Sequence, residues 1–130
     1  MRAALVDEVR SLLAHAGFAV SDVFRQRPLS FDFLARRDDQ LFIVKVLTNV
    51  DSLSEDVAQE MRVLARFLEG RTVLVGLRSS SGVLEAGAVY VRHQVPILSL
   101  EGLREYLLEG VMPVAIAAPG GFCVRLDGTL

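Results

Sequence analysis

The chemistry this chain could do starts from three residues, Asp32, Ile43 and Lys45. Asp32 lies in Ser30–Arg37 (SFDFLARR), where Phe31, Phe33 and Ala35 alternate with Asp32, Leu34 and Arg36 as in a strand. Lys45 is the only lysine among fourteen basic residues and sits in the next apolar run, Leu41–Thr48. A strand repeats every two residues, so positions 43 and 45 share a face and should point together toward Asp32. An acid on one strand with acid-x-lysine on the next suits metal-assisted phosphodiester cleavage. Two carboxylates hold Mg²⁺ against the phosphate, and the lysine steadies the attacking water or the developing charge. Here position 43 is Ile, so an apolar side chain stands where the second ligand belongs. The site therefore reads as vestigial, with Asp32, Lys45 and Glu8 as its remaining candidates. Glu8 on the first helix could lend a second acid, as could Glu55 or Glu60 on the second. Without such an acid, Asp32 and Lys45 are expected to form a buried ion pair or to cap strand ends. No cofactor is then expected, and Mg²⁺ enters only if an acid has migrated.

Other chemical candidates are thinner. His15 falls near a helix C-terminus, where a cation is favoured by the dipole, and His93 is far from it in the chain. Cys123 lies in an apolar stretch and reads as a small buried hydrophobe. No phosphate-cradling glycine motif and no G-x-S-x-G nucleophile elbow is present. Arg62 and Arg66, four apart on the second helix, form a positive stripe that could touch DNA phosphates. Arg25, Arg27, Arg36 and Arg37 add positive charge in loops, while Asp38, Asp39, Glu55, Asp56 and Glu60 interleave with them. A solvated mixed face is the plainer reading.

The elements that must position these residues separate cleanly. Leu5, Val9, Leu12, Leu13 and Ala16 recur at helical spacing from about Arg2 to Ala16, and Gly17 supplies a left-handed stop. Phe18–Phe24 is β-rich, Arg25–Pro28 is a turn, and Asp38-Asp39 is a tight turn between the two strands. Ser52-Leu53-Ser54-Glu55 reads as a capping box with Ser52 as N-cap. It opens a helix carrying Val57, Met61, Leu64, Ala65 and Leu68, ended by Gly70. Arg71–Leu77 is a buried strand, Ser79–Gly82 a loop, and Ala88–Val91 and Val95–Leu98 short strands. Ser99 caps a helix stopped by Gly110, and Pro113–Leu126 forms a hairpin about Pro119-Gly120. Short connections make the opening strands antiparallel, and the strand after the second helix returns parallel. The expected fold is a three-layer α/β sandwich with a mixed sheet.

The chain's 130 residues fit one domain, residues 1–130, large enough to fold without a disulfide or metal. One cysteine excludes an internal disulfide and suggests a reducing, cytoplasmic setting. Fourteen basic against sixteen acidic residues give a net charge of −2, so no global positive field attracts nucleic acid or a membrane surface. No apolar run approaches the ~18 residues of a membrane span. Mean hydropathy is +0.40, high for a small domain, and implies apolar surface buried against a partner. The nearly uncharged tail, Val111–Val124, is the expected interface of a homodimer.

The Asp32, Ile43 and Lys45 arrangement resembles the core of PD-(D/E)XK nucleases, the restriction endonuclease-like fold, with a degenerate active site. AHAGFAV (Ala14–Val20), SFDFLARR, FIVKVLTNVDSL (Phe42–Leu53) and AAPGGFCVRLDG (Ala117–Gly128) resemble the N-terminal domain of a family of archaeal helix-turn-helix, lambda-repressor-like transcriptional regulators. The resemblance spans essentially the whole chain. It implies a regulatory or dimerisation domain that does not cleave DNA, followed by a helix-turn-helix module expected beyond Leu130 and absent from this chain. DNA would be the partner through that module. A Mg²⁺-dependent nuclease or resolvase, and an effector-sensing module using the cleft around Asp32 and Lys45, are the alternatives.

Overall fold

The computed structural model describes residues 2–24, 30–109, 115–117 and 123–125. Helix α1 runs from Arg2 to His15 and buries Leu5, Val6, Val9, Leu12 and Leu13. Gly17 then takes φ 94°, the left-handed conformation a helix stop needs. Strand β1 is only Ala19–Val20, much shorter than the apolar stretch around it. Beyond it the chain still follows its neighbour irregularly: Ser21 N–H donates to Leu34 O, and Leu34 N–H donates to Ser21 Oγ. A serine side chain replaces one rung of the ladder, which ends the strand early. The expected turn at Arg25–Pro28 lies outside the described residues.

Strands β2 (Phe33–Arg37) and β3 (Gln40–Asn49) form the antiparallel hairpin expected, with Asp38 at φ 53° in its turn. Helix α2 (Glu55–Leu68) crosses over to β4 (Arg71–Ser79), which lies parallel to β3. Two helix boundaries differ from expectation. Val50–Ser52 is a separate 3-10 turn capped by Asn49, so the α2 N-cap is Ser54, whose hydroxyl accepts Val57 N–H at 3.2 Å. Glu55 is thus the first residue of the helix, one step past the cap, and makes no capping box. At the other end Glu69, at φ 56°, takes the left-handed position rather than Gly70. Gly70 is needed for room instead, since a Cβ there would stand 3.0 Å from Leu41 O.

Strands β5 (Gly82–Val83), β6 (Ala88–Arg92) and β7 (Val95–Ser99) follow, then helix α3 (Leu100–Glu109). His93 and Gln94, both at positive φ, join β6 to β7 in a two-residue turn of the kind that matches strand twist. Ser99 Oγ accepts Gly102 N–H at 2.9 Å, the expected cap of α3. The expected stop at Gly110 is outside the described residues. Strands β8 (Ala115–Ala117) and β9 (Cys123–Arg125) pair antiparallel, as the tail hairpin requires, while its turn residues lie outside the described part.

The described strands make one mixed sheet in the order β1-β2-β3-β4-β7-β6-β8-β9, with β5 folded onto β4. Alternation along β3 and β4 sorts the core. Phe42, Val44, Val46 and Val75 meet α1 and α3 through Val9, Leu13 and Leu103. Leu74 and Ile97, one residue out of phase, meet Ala58 and Met61 of α2 on the opposite face. Ile43 packs there too, with Phe31 and Ala65. Helices therefore cover both faces, the expected three-layer sandwich.

Candidate functional site

Asp32 stands where β2 ends beside a longer β3. The ladder pairs Phe33 with Val44, and one residue earlier Asp32 N–H donates to Val44 O at 2.8 Å. The Asp32 side chain is 5% exposed. Its Oδ2 accepts Val46 N–H at 2.7 Å, and its Oδ1 is bound by the Arg2 guanidinium at the start of α1. Arg2 Nε also donates to Val46 O at 3.1 Å. Two side chains thus satisfy both backbone groups of Val46, on the edge where the neighbouring strand stops. Sequence reasoning found the acid and missed Arg2, because its partner is thirty residues away and Arg2 sits in an exposed first helical turn.

Ile43 is fully buried. Its place between Phe31 and Ala65 gives an apolar residue at position 43 a packing role. Lys45 is half-buried on the same face of β3, opposite Leu74 of β4. The lysine of the expected buried ion pair is thus only half-buried, where the β2 ladder has ended opposite Val44 while β4 continues alongside. Glu8 is exposed and lines a surface hollow with Arg104 and Leu108 of α3, while Arg2 is the α1 residue that meets Asp32. Glu60 of α2 comes closer: its carboxylate accepts the hydroxyl of Ser30, two residues before Asp32. Glu55 is exposed in the first turn of α2.

These donors do not fit Mg²⁺. The ion needs one or two carboxylates with free oxygens in near-octahedral array. Both Asp32 oxygens are engaged by N–H groups, position 43 offers none, and Glu8 faces elsewhere. Among the described residues no three of His, Cys, Asp and Glu gather closely enough to hold a metal ion.

At the far end of β3 the run Asn49–Ser54 is a built connection to α2. Asn49 Oδ1 accepts Asp51 N–H at 2.9 Å, and Ser52 Oγ donates to Asn49 O at 2.8 Å. Arg92 of β6 donates to the carbonyls of Leu53 and Asp51 at 3.3 and 3.2 Å. Asp51 Oδ2 accepts Ser80 N–H at 2.7 Å. Hydrogen bonds from the Ser80 side chain and backbone, with the nearby Arg92 charge, hold the Asp51 carboxyl below its ordinary range against a smaller opposing effect of burial. Val50 plugs the loop into the sheet, and a Cβ on Gly76 would stand 2.2 Å from Val50 Cγ1.

The Arg62/Arg66 stripe divides. Arg62 is half-buried and donates to the carbonyl of His93, bracing the β6–β7 turn. Arg66 is exposed. Both line a hollow of about 500 Å³ at the start of β4. His15 closes α1 by bonding Ser11 O through Nδ1 at 2.8 Å, a structural role. The side chain of Cys123 and the residues Arg25 and Arg27 are outside the described part.

Residues 2–113 match the family model of the PD-(D/E)XK superfamily domain. The chain is 43% identical over 126 residues to a protein of Methanosarcina mazei named "Putative HTH-type transcriptional regulatory protein", covering 97% of this chain and 38% of that one. Proteins of the same name from Archaeoglobus fulgidus and Halobacterium salinarum are 39% and 42% identical, each over 98% of this chain and 41% and 40% of their own length. The chain thus spans about two-fifths of the curated relatives it matches. No solved structure matches it. No described helix is long and apolar enough to cross a membrane. With the family match running from α1 to beyond α3, on a mixed sheet covered by helices on both faces, the chain belongs to the PD-(D/E)XK superfamily.

Proposed function

We propose that this domain is the regulatory and dimerisation part of a DNA-binding transcriptional regulator, built on a nuclease scaffold that does not cleave DNA. One observation carries the loss of cleavage. The Asp32 carboxylate is spent on Val46 N–H and Arg2, while Ile43 fills its neighbour's place with hydrocarbon. The names of the archaeal relatives support the regulatory part. Their greater length leaves room for a helix-turn-helix to make the DNA contact, with this domain holding two copies together. The cytoplasm is the compartment such a role requires.

A second reading keeps the nuclease. Glu60, whose carboxylate accepts the hydroxyl of Ser30 two residues before Asp32, is the acid best placed to have migrated. One experiment separates them: incubation with supercoiled, linear and branched DNA in Mg²⁺ or Mn²⁺. We expect no cleavage. Cleavage lost in both Asp32→Ala and Glu60→Gln would establish the nuclease instead.

A further inference from the structure

We infer that the hollow at the start of β4 is a binding site for a small anionic ligand, a phosphate ester carried on an apolar ring-sized body. Strand β7 pairs with β4 only from Leu74 to Gly76, so the preceding residues, Arg71–Val73, have no strand partner on that side among the described residues. Pro96, level with Val73 in this register, has no N–H to donate, and a hollow of about 500 Å³, within the range of small-ligand sites, lies at this end of β4. Arg62, Arg66 and Arg71 border it together with Gln40. Phe42 and Tyr106 contribute an apolar side.

The charge balance is what points to an anion. The described lining contains three guanidinium groups and no carboxylate, in a chain whose net charge is −2. Among the described residues none of the three arginines forms an ion pair, although Glu69 lies between Arg66 and Arg71 in the sequence. Like charges gathered without a counter-charge repel, and an anion between them converts that repulsion into charge-assisted hydrogen bonds. Arginine's planar fork suits the oxygens of a phosphate better than a point charge would. Arg62 is held in place by the carbonyl of His93, so part of the site is ordered before any ligand arrives. The aromatic side then selects a ligand with a ring over a bare ion. This site is separate from the Asp32 cluster and stands whether or not the domain regulates transcription.

The test follows the backbone amide resonances of Arg71–Val73 during titration with phenyl phosphate, inorganic phosphate and phenol. Phenyl phosphate should give saturable shifts and bind more tightly than either fragment. Arg66→Ala with Arg71→Ala, both exposed positions, should weaken it at least about tenfold while leaving the other resonances in place. Arg62 is left intact because it braces a turn. Absence of saturable shifts, binding unchanged in the double variant, or equal affinity for inorganic phosphate would overturn the assignment. So would a DNA duplex that saturates these amides when phenyl phosphate does not, which would make the arginines a nucleic-acid surface.

Discussion

The Asp32 carboxylate accepts the N–H of Val46 at 2.7 Å and so occupies the place of a missing strand. Removing it leaves a buried backbone donor without a partner. Asp32→Ala should cost about 2 kcal/mol in urea unfolding, because an unsatisfied buried group bears its full desolvation penalty. Arg2 has a 46% exposed side chain, so Arg2→Ala should cost less than about 1 kcal/mol. Asp32→Asn, which keeps an acceptor for Val46, should fall between them. Equal losses for Ala and Asn would mean that the charge, not the backbone bond, is what matters.

Ile43 tests whether the scaffold can be returned to an acid at that position. Ile43→Glu would put a carboxylate among Phe31 and Ala65 in a fully buried place. The expected result is a loss of about 3 kcal/mol or more, and no gain of Mg²⁺-dependent cleavage. A stable variant that binds Mg²⁺ by calorimetry would show that the surroundings still accommodate a metal.

Gly76 and Val50 interlock, since any Cβ at position 76 meets the valine methyl at 2.2 Å. Gly76→Ala should cost about 1–3 kcal/mol by overpacking. Val50→Ala alone removes buried methyls and should also destabilise, by about 1–2 kcal/mol. Combined, the two should cost less than their sum, because the smaller residue 50 makes room for the new Cβ. Strict additivity would show that the strain lies elsewhere.

The order of elements was legible because each is long enough to show its period: the α1 stripe, the two faces of β3, the apolar face of α2. Antiparallel β2–β3 followed from the short connection, and parallel β3–β4 from the intervening helix. What could not be read was where local side chains compete. The cap expected at Ser52 moved to Ser54, because Asn49 caps a 3-10 turn that takes up Val50–Ser52 first. Glu69 adopts a backbone conformation that glycine favours, while the adjacent glycine is needed for space. At the candidate site, Asp32 and the apolar residue at 43 were visible as a pattern. Arg2 was not, since pairing between distant segments depends on the fold and leaves no local signal.

Asp51 gives a pH dependence with a definite sign. Ser80 and then Arg92 stabilise its charged form in the folded protein, so its pKa is depressed. Such a group contributes stability above its unfolded pKa and loses it as pH falls through the lower, folded value. Asp51→Asn should therefore lower Tm at neutral pH, and the difference from the parent protein should shrink as the solution is made strongly acidic. A difference that stays constant with acidification would mean that the carboxyl contributes only by its shape.

The sheet's outer edge bears on assembly. Strand β9 is last in the sheet order, so one of its backbone edges has no strand partner among the described residues. An open edge is a template for a second strand, and two copies related by a two-fold axis can pair β9 with β9 in antiparallel fashion. The nearly uncharged tail sequence, Val111–Val124, suits burial at such a junction. Sedimentation at micromolar concentration should accordingly find a dimer. Neighbouring residues in a strand direct their N–H groups to opposite edges, so of Cys123→Pro and Val124→Pro one strikes the bond to β8 and the other the outer edge. One of the two should give a folded monomer. Phe67, 82% exposed on α2, offers the competing surface, and Phe67→Glu should leave the dimer intact. A monomeric parent protein would dismiss the dimer altogether. A dimer broken by Phe67→Glu and untouched by both prolines would move the interface to the outer face of α2.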